Sequence, residues 1–299
     1  MSSLVTDLLG AIGGTPCCRL VHLPGPDCAE AVVKLESRSP GGSVKDRAAL
    51  AMVRAAERDG RLRPGGTLIE ATSGNTGVSL ALVGAALGYR VVVVMPEVQG
   101  HQKARLIRAL GGQVRLTPSL EGFVAAREVA NNLASASNCF MPDQWGNAAN
   151  MEAHRTGTGP EILEATEGRL DAFVAGVGTG GTLTGVGRCL RQRLPGCKLV
   201  AVEPCASPVL SGGKPGLTRI SGLGPGFVPP LLEVNLIDEV LTVTDDEALE
   251  TARLLTQREG ISAGPSAGAN VAAALRIARR LGPGRRVVTV IPDAAERYL

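Results

Sequence analysis

Valine runs constrain the fold of this chain more than any other feature. Residues 90–95 read R-V-V-V-V-M and residues 287–291 read V-V-T-V-I, apolar without the alternation of a half-solvated strand. Such runs indicate strands buried on both faces, as in a parallel sheet covered by helices on each side. Strands are predicted at 31–35, 67–70, 90–95, 113–116, 172–175, 198–202, 240–243 and 287–291. Ala- and Leu-rich stretches with helical spacing separate them, at 44–59, 76–87, 102–109, 120–134, 160–167, 182–194, 245–259 and 267–281. This alternation defines an α/β protein with parallel sheets. A length of 299 residues suffices for two such lobes. Two stretches read as irregular: 204–230, rich in Gly and Pro, and the polar segment 141–149.

Composition removes several function classes. The net charge is +3, too weak to argue for nucleic acid. Aromatic residues are only 2%, so binding by base stacking is poorly served, and the core must be Val, Leu, Ile and Ala. Cys17, Cys18, Cys28, Cys139, Cys189, Cys197 and Cys205 contain no C-x-x-C pair. They read as reduced thiols of a cytoplasmic protein, with no metal site expected. No apolar run has the length of a membrane span, and the N-terminus lacks the basic flank of a signal peptide. The short apolar run before Gly13 reads as a first helix.

Four glycine- or serine-rich segments each open a predicted helix, where unpaired N–H groups and the positive dipole end collect anions. The first is Pro40-Gly41-Gly42-Ser43-Val44-Lys45-Asp46-Arg47. Ser43 and Asp46 have the spacing of a capping-box variant. Lys45 in the first turn is a cation at the wrong dipole end, which suits a Schiff-base amine, although an ordinary surface lysine has the same spacing. The second is Glu70-Ala71-Thr72-Ser73-Gly74-Asn75-Thr76-Gly77, directly after a strand. It lacks the lysine of a Walker A loop and suits a carboxylate or a phenolic oxygen, or it is a capped polar turn. The third, Gly176-Val177-Gly178-Thr179-Gly180-Gly181-Thr182, satisfies G-x-G-x-x-G, with Glu203 ending the next strand. That pattern fits a dinucleotide, while the two threonines fit a phosphate monoester. In the fourth, Ala263-Gly264-Pro265-Ser266-Ala267-Gly268-Ala269, Ser266 is a natural N-cap. His22, His101 and His154 are scattered without metal spacing, and no G-x-S-x-G elbow occurs.

Together these segments resemble the fold-type II pyridoxal-phosphate enzymes, and more closely the cysteine synthase (O-acetylserine sulfhydrylase) family. The blocks G-G-T-P (from Gly13), G-S-V-K-D-R, E-A-T-S-G-N-T-G, G-T-G-G-T and the Ser266 segment stand in the family's order, from Ile12 to the C-terminus. The resemblance implies two α/β lobes, a smaller mobile one at 45–150 and a larger cofactor-holding one at 1–44 plus 151–299, with pyridoxal 5'-phosphate (PLP) between them. It implies that Lys45 holds the cofactor as an internal aldimine and moves the substrate α-proton. Asn75 would bond the ring hydroxyl oxygen, and Gly178, Thr179, Gly180, Gly181 and Thr182 would cradle the phosphate. Ser266 would face the pyridine nitrogen. Thr72, Ser73, Thr76 and Gln144 would receive the substrate carboxylate, with Gly222 and Gly224 near its side chain. A serine at the pyridine nitrogen does not enforce ring protonation, which favours β-elimination over racemisation or transamination. The implied reaction converts O-acetyl-L-serine and sulfide to L-cysteine and acetate through an aminoacrylate. A homodimer and capture of serine acetyltransferase by its C-terminal peptide follow from the same resemblance.

The chain also departs from the family pattern. G-S-V-K-D-R-A-A-L is like the B isozyme, residues 207–227 are more like the A isozyme, and Pro265-Ser266-Ala267-Gly268 is like cystathionine β-synthase. Gln99-Gly100 replaces a typical Met-Ser, and Phe123 stands where Met is common. These departures leave open the sulfur donor (sulfide, thiosulfate or homocysteine) and the choice of acetylserine or phosphoserine. Lys214 and Arg219 are candidates for an anionic donor. Outside the class stand a nicotinamide-dependent dehydrogenase, which leaves Lys45 and the 72–77 loop unexplained, and a non-catalytic partner-binding scaffold.

Overall fold

The computed structural model describes residues 4–97, 101–118 and 122–298. The chain divides into two compact units, one running up to Ile12 and over Ser39–Asn150, the other comprising Gly13–Arg38 and Met151–Leu299. Two stretches expected in the larger lobe, 4–12 and 39–44, therefore fall in the first unit. The physical reason is local. Leu9 packs into the same core as Ala49, Val53 and Val83, and Gly41 is tied by its N–H to the Asp46 carboxylate.

The first unit is built on four parallel strands in the order β5-β4-β3-β6. They are β3 (Thr67–Ala71), β4 (Arg90–Pro96), β5 (Gln113–Thr117) and β6 (Cys139–Phe140). Helices α1 (Lys45–Arg58), α2 (Asn75–Leu87), α3 (His101–Ala109) and α4 (Gly122–Ala134) belong to the same unit. Helix α1 buries Ala48, Ala49, Met52, Val53 and Ala56, the helical spacing of one apolar stripe. Helix α2 ends at Gly88, whose left-handed φ of 75° closes its N–H onto the Gly84 carbonyl. The valine run of β4 sends Val91, Val93 and Met95 to one core and Val94 to another. That is the double burial the run predicts.

The second unit carries a six-stranded sheet in the order β1-β2-β10-β7-β8-β9. Its strands are β1 (Cys17–Arg19), β2 (Glu30–Leu35), β7 (Ala172–Gly176), β8 (Lys198–Pro204), β9 (Glu239–Val243) and β10 (Arg286–Ile291). Only the edge strand β1 is antiparallel. Phe173, Leu199 and Val288 pack on one face, and their neighbours Val174, Val200 and Val287 on the other. Helices α6 (Gly159–Ala165), α7 (Gly181–Arg193), α8 (Asp245–Glu259) and α9 (Pro265–Leu281) complete this unit.

Each sheet has one strand at which the order turns back. From β3 the chain moves out to β4 and β5, and β6 returns on β3's other side. From β7 it moves out to β8 and β9, and β10 returns on β7's other side. Ligands of open α/β sheets bind outside the carboxyl ends of such strands.

Some elements differ from expectation. The run before Gly13 forms a single 3-10 turn, Leu8–Ala11, capped by Asp7. Strands β1 and β6 were not anticipated, being three and two residues long. Helix α5 (Ala148–Ala153) begins inside the segment expected to be irregular, and a π-helical turn, His154–Thr158, follows it. Gln99, Gly100 and the expected first residue of α4, Leu120, lie outside the described residues. No described helix is long and apolar enough to cross a membrane.

Candidate active site

In the first unit, the turn from β3 to α2 stands at the turn-back strand. The Thr72 N–H donates to the Val94 carbonyl at 3.0 Å, holding the turn to β4. Thr72 Oγ1 accepts the Gly74 N–H at 3.1 Å. No side chain caps α2; its N-cap is Gly74, in extended backbone. Asn75 and Thr76 therefore open the helix where its dipole is positive.

This turn gathers a second segment. Thr76 Oγ1 donates to Gln144 Oε1 at 2.6 Å, which presents the amide nitrogen of Gln144 as its donor end. The backbone N–H groups of Asp143 and Gln144 donate to the two oxygens of Glu70, at 2.9 and 3.3 Å. Asn150 closes the segment with a 2.8 Å bond to the Gln144 carbonyl. Trp145, the sole tryptophan of the chain, follows half-buried. Burial pushes the Glu70 carboxyl up to about 8, against the pull of its two N–H donors and of Arg127, with Asp143 adding to the rise.

Lys45 opens α1 and is half-buried. The expected capping box is not what precedes it. The N-cap is Val44 in helical backbone with no side-chain bond, and Ser43 Oγ meets only the Lys45 N–H, at 3.4 Å. Asp46 turns the other way. Its buried carboxylate accepts the Gly41 N–H at 2.6 Å and the Ser79 hydroxyl at 2.5 Å. The loop before Lys45 is thus tied to α2 by a carboxylate, because a Cβ-free Gly41 lets the chain close over it.

In the second unit, the turn from β7 to α7 stands at the other turn-back strand and works through backbone. Gly180 is the N-cap of α7, in left-handed backbone at φ 83°. A methyl on Gly178 would collide with the Gly222 carbonyl oxygen. The Gly224 N–H donates to the Val177 carbonyl at 3.2 Å. The structure therefore brings Gly222 and Gly224 onto the 176–182 turn. The Gly176 N–H donates to Asn270 Oδ1 at 2.7 Å, and Asn270 in turn donates to the Val290 carbonyl at 2.9 Å. Ser266 is buried one turn before Asn270 on α9, on the same helix face. It is not the N-cap; Gly264 is, with Pro265 in the first helical position.

Asn270 and the roles of Glu70 and His154 are not evident from the motifs. Asn270 and Glu70 are polar positions within apolar runs, a usable signal. His154 is buried, and its ring nitrogens meet Thr158 Oγ1 at 2.9 Å and Thr182 Oγ1 at 3.3 Å. Only the fold puts it beside the third glycine-rich segment. One other expectation fails. Glu203 accepts from the Leu210 and Ser211 N–H groups and the Ser211 hydroxyl, so it anchors the 204–211 turn rather than serving a dinucleotide. Arg219 forms surface ion pairs with Asp245 and Asp246.

A helix N-terminus fronted by glycines with no room for side chains fits a phosphate monoester, and a buried hydroxyl one helix turn from Asn270 fits a ring nitrogen. The chain belongs to the family of pyridoxal-phosphate-dependent enzymes, whose model matches residues 8–293. Within it, the chain is 48% identical over 296 residues to cysteine synthase of Staphylococcus aureus (strain Mu50), covering 99% of this chain and 96% of that one. The crystal structure of O-ureido-L-serine synthase is similar with a TM-score of 0.96 and 44% identity, over 99% of this chain and 94% of that one. Cysteine synthase of Entamoeba histolytica matches with a TM-score of 0.94 and 36% identity, over 100% and 91% of the two chains. The fold is fold-type II, and the cofactor is PLP.

Proposed function

We propose that the protein is a cysteine synthase, replacing the acetoxy group of O-acetyl-L-serine with sulfide to give L-cysteine and acetate. The observation that carries this reading is the 48% identity to a cysteine synthase along 99% of the chain. When bound, PLP withdraws electrons from the α-carbon of an amino acid. The N–H groups of Gly178, Thr179, Gly180, Gly181 and Thr182 would bind the phosphate of PLP, and Ser266 would donate to its ring nitrogen. Lys45 would hold the cofactor through its amine, and Asn75 would donate to the ring hydroxyl oxygen. Thr72, Ser73, Thr76 and Gln144 bind the substrate carboxylate, while Gly222 and Gly224 leave room for its side chain. The Lys45 amine, freed once the substrate's own amine has taken its place, would take the α-proton as the Cβ–O bond to acetate breaks and return it as the Cβ–S bond to sulfide forms.

The test is the visible absorption of the purified protein. With PLP bound, the cofactor band should shift on adding O-acetyl-L-serine and return on adding sulfide. A bound cofactor that ignores O-acetyl-L-serine removes the donor assignment. A second reading, with another nucleophile in place of sulfide, is favoured by the likeness to O-ureido-L-serine synthase. Offering homocysteine, thiosulfate or an oxygen nucleophile after the first shift separates the two. A homodimer and binding of a serine acetyltransferase C-terminal peptide are part of the proposal through family resemblance, and equilibrium sedimentation with and without peptide reads both. The seven free thiols suit a cytoplasmic setting.

A further inference from the structure

Glu70 is a buried carboxyl that the proposed mechanism leaves unused. It sits at the end of β3, is 3% exposed, and no lysine or arginine bonds to it. Burying a carboxyl is costly unless its oxygens are satisfied. Both oxygens are satisfied by consecutive backbone N–H groups, those of Asp143 and Gln144. The residue so held is the one whose side chain meets Thr76.

We infer that Glu70 is a positioning residue for amino-acid binding: its carboxylate pins the 143–144 backbone and thereby sets the Gln144 amide beside Thr76. This rests on the carboxylate-binding role proposed for Gln144. A carboxylate is the one group of this size that accepts at two oxygens. A carboxamide would turn an N–H donor onto one of the two backbone donors. The charged groups acting on Glu70 are Asp143, on the segment it holds, and Arg127 of α4, which pairs with Asp143 at 3.2 Å.

The direction with pH follows. Glu70 protonates as pH falls through about 8. The protonated carboxyl keeps one acceptor oxygen for two donors, so the segment is fully pinned only above that pH.

The experiment compares the wild-type holoenzyme with Glu70→Gln across pH 6.5 to 9.5 (about one and a half units either side of the midpoint), using O-acetyl-L-serine and sulfide. Taking the ratio of the two KM values cancels the titration of the substrate's own amine. The ratio should be about tenfold at the alkaline end, the loss of one hydrogen bond to a charged acceptor. It should shrink towards the acid end, with kcat and the affinity for PLP within about twofold throughout. A KM ratio near one at every pH overturns the inference, and so does an equal loss of PLP affinity, which would mark a general structural role. If Glu70→Gln does not fold, Glu70→Asp, which is too short to reach both donors, should raise KM in the same way and speed amide hydrogen exchange at 143 and 144. Unchanged exchange and KM in Glu70→Asp would also overturn it. A wild-type holoenzyme that binds PLP but responds to no amino acid means that the functional reading has failed. In that case exchange at 143 and 144 alone decides whether Glu70 pins the segment.

Discussion

The two turn-back strands end in turns that solve the same problem with different parts. The β3–α2 turn presents side chains: Thr72, Ser73, Asn75 and Thr76 in succession, joined by Gln144. The β7–α7 turn presents backbone: glycines at 176, 178, 180 and 181, closed over by Gly222. Side chains can be exchanged one atom at a time, so the first turn is able to discriminate among substrates. Backbone N–H groups cannot be exchanged, and they suit a group that never varies, such as a cofactor phosphate. On the proposed roles, one chain separates the variable part of its recognition from the constant part, each at the same topological position of its own sheet.

The largest break in this comparison should come from Gly178→Ala. The added methyl meets the Gly222 carbonyl, which belongs to backbone and cannot turn aside. Overpacking of this kind costs about 1–3 kcal/mol. PLP affinity should fall about tenfold or more in an absorbance titration, and the urea midpoint should drop. Next comes Gly180→Ala, where a left-handed φ of 83° and the Leu232 backbone at 3.0 Å oppose a Cβ. A loss of about 1–2 kcal/mol in urea unfolding is expected. Thr76→Val removes the 2.6 Å bond to Gln144 while keeping the shape. The KM for O-acetyl-L-serine should rise about three- to tenfold, with PLP affinity unchanged by the same titration. The smallest effect should come from Gly74→Ala, the glycine of the side-chain turn. Its backbone is extended, and the nearest atom to a new methyl is Thr72 Oγ1 at 3.6 Å. Only the weaker N-capping of Ala remains, about 1 kcal/mol or less in urea unfolding. If Gly74→Ala costs as much as Gly178→Ala, the distinction between the two turns collapses.

Much of this was legible in the residues, and the reasons are particular. The valine runs of β4 and β10 revealed strands buried on both faces because a two-residue period has no polar phase there. The G-x-G-x-x-G turn and the T-S-G-N-T turn announced themselves by glycines and hydroxyls following an apolar run. Ser43 and Ser266 misled as caps because a serine near a helix start does not say whether it stands before or inside the first turn. The Glu70–Gln144 and His154–Thr182 contacts were beyond reach for a different reason. Their partners lie 74 and 28 positions apart, joined only by the tertiary fold. β6 was missed because two residues carry no periodicity.

Trp145 gives the molecule an optical consequence. A protein with one indole emits from one place, and that place is the residue bonded to Gln144. When it is excited beyond the absorption of Tyr89 and Tyr298, its emission wavelength and quenching report the solvent and packing around a single segment. An unlabelled sample in a cuvette can follow the 143–147 segment through every ligand addition, at dilutions where most structural methods see nothing.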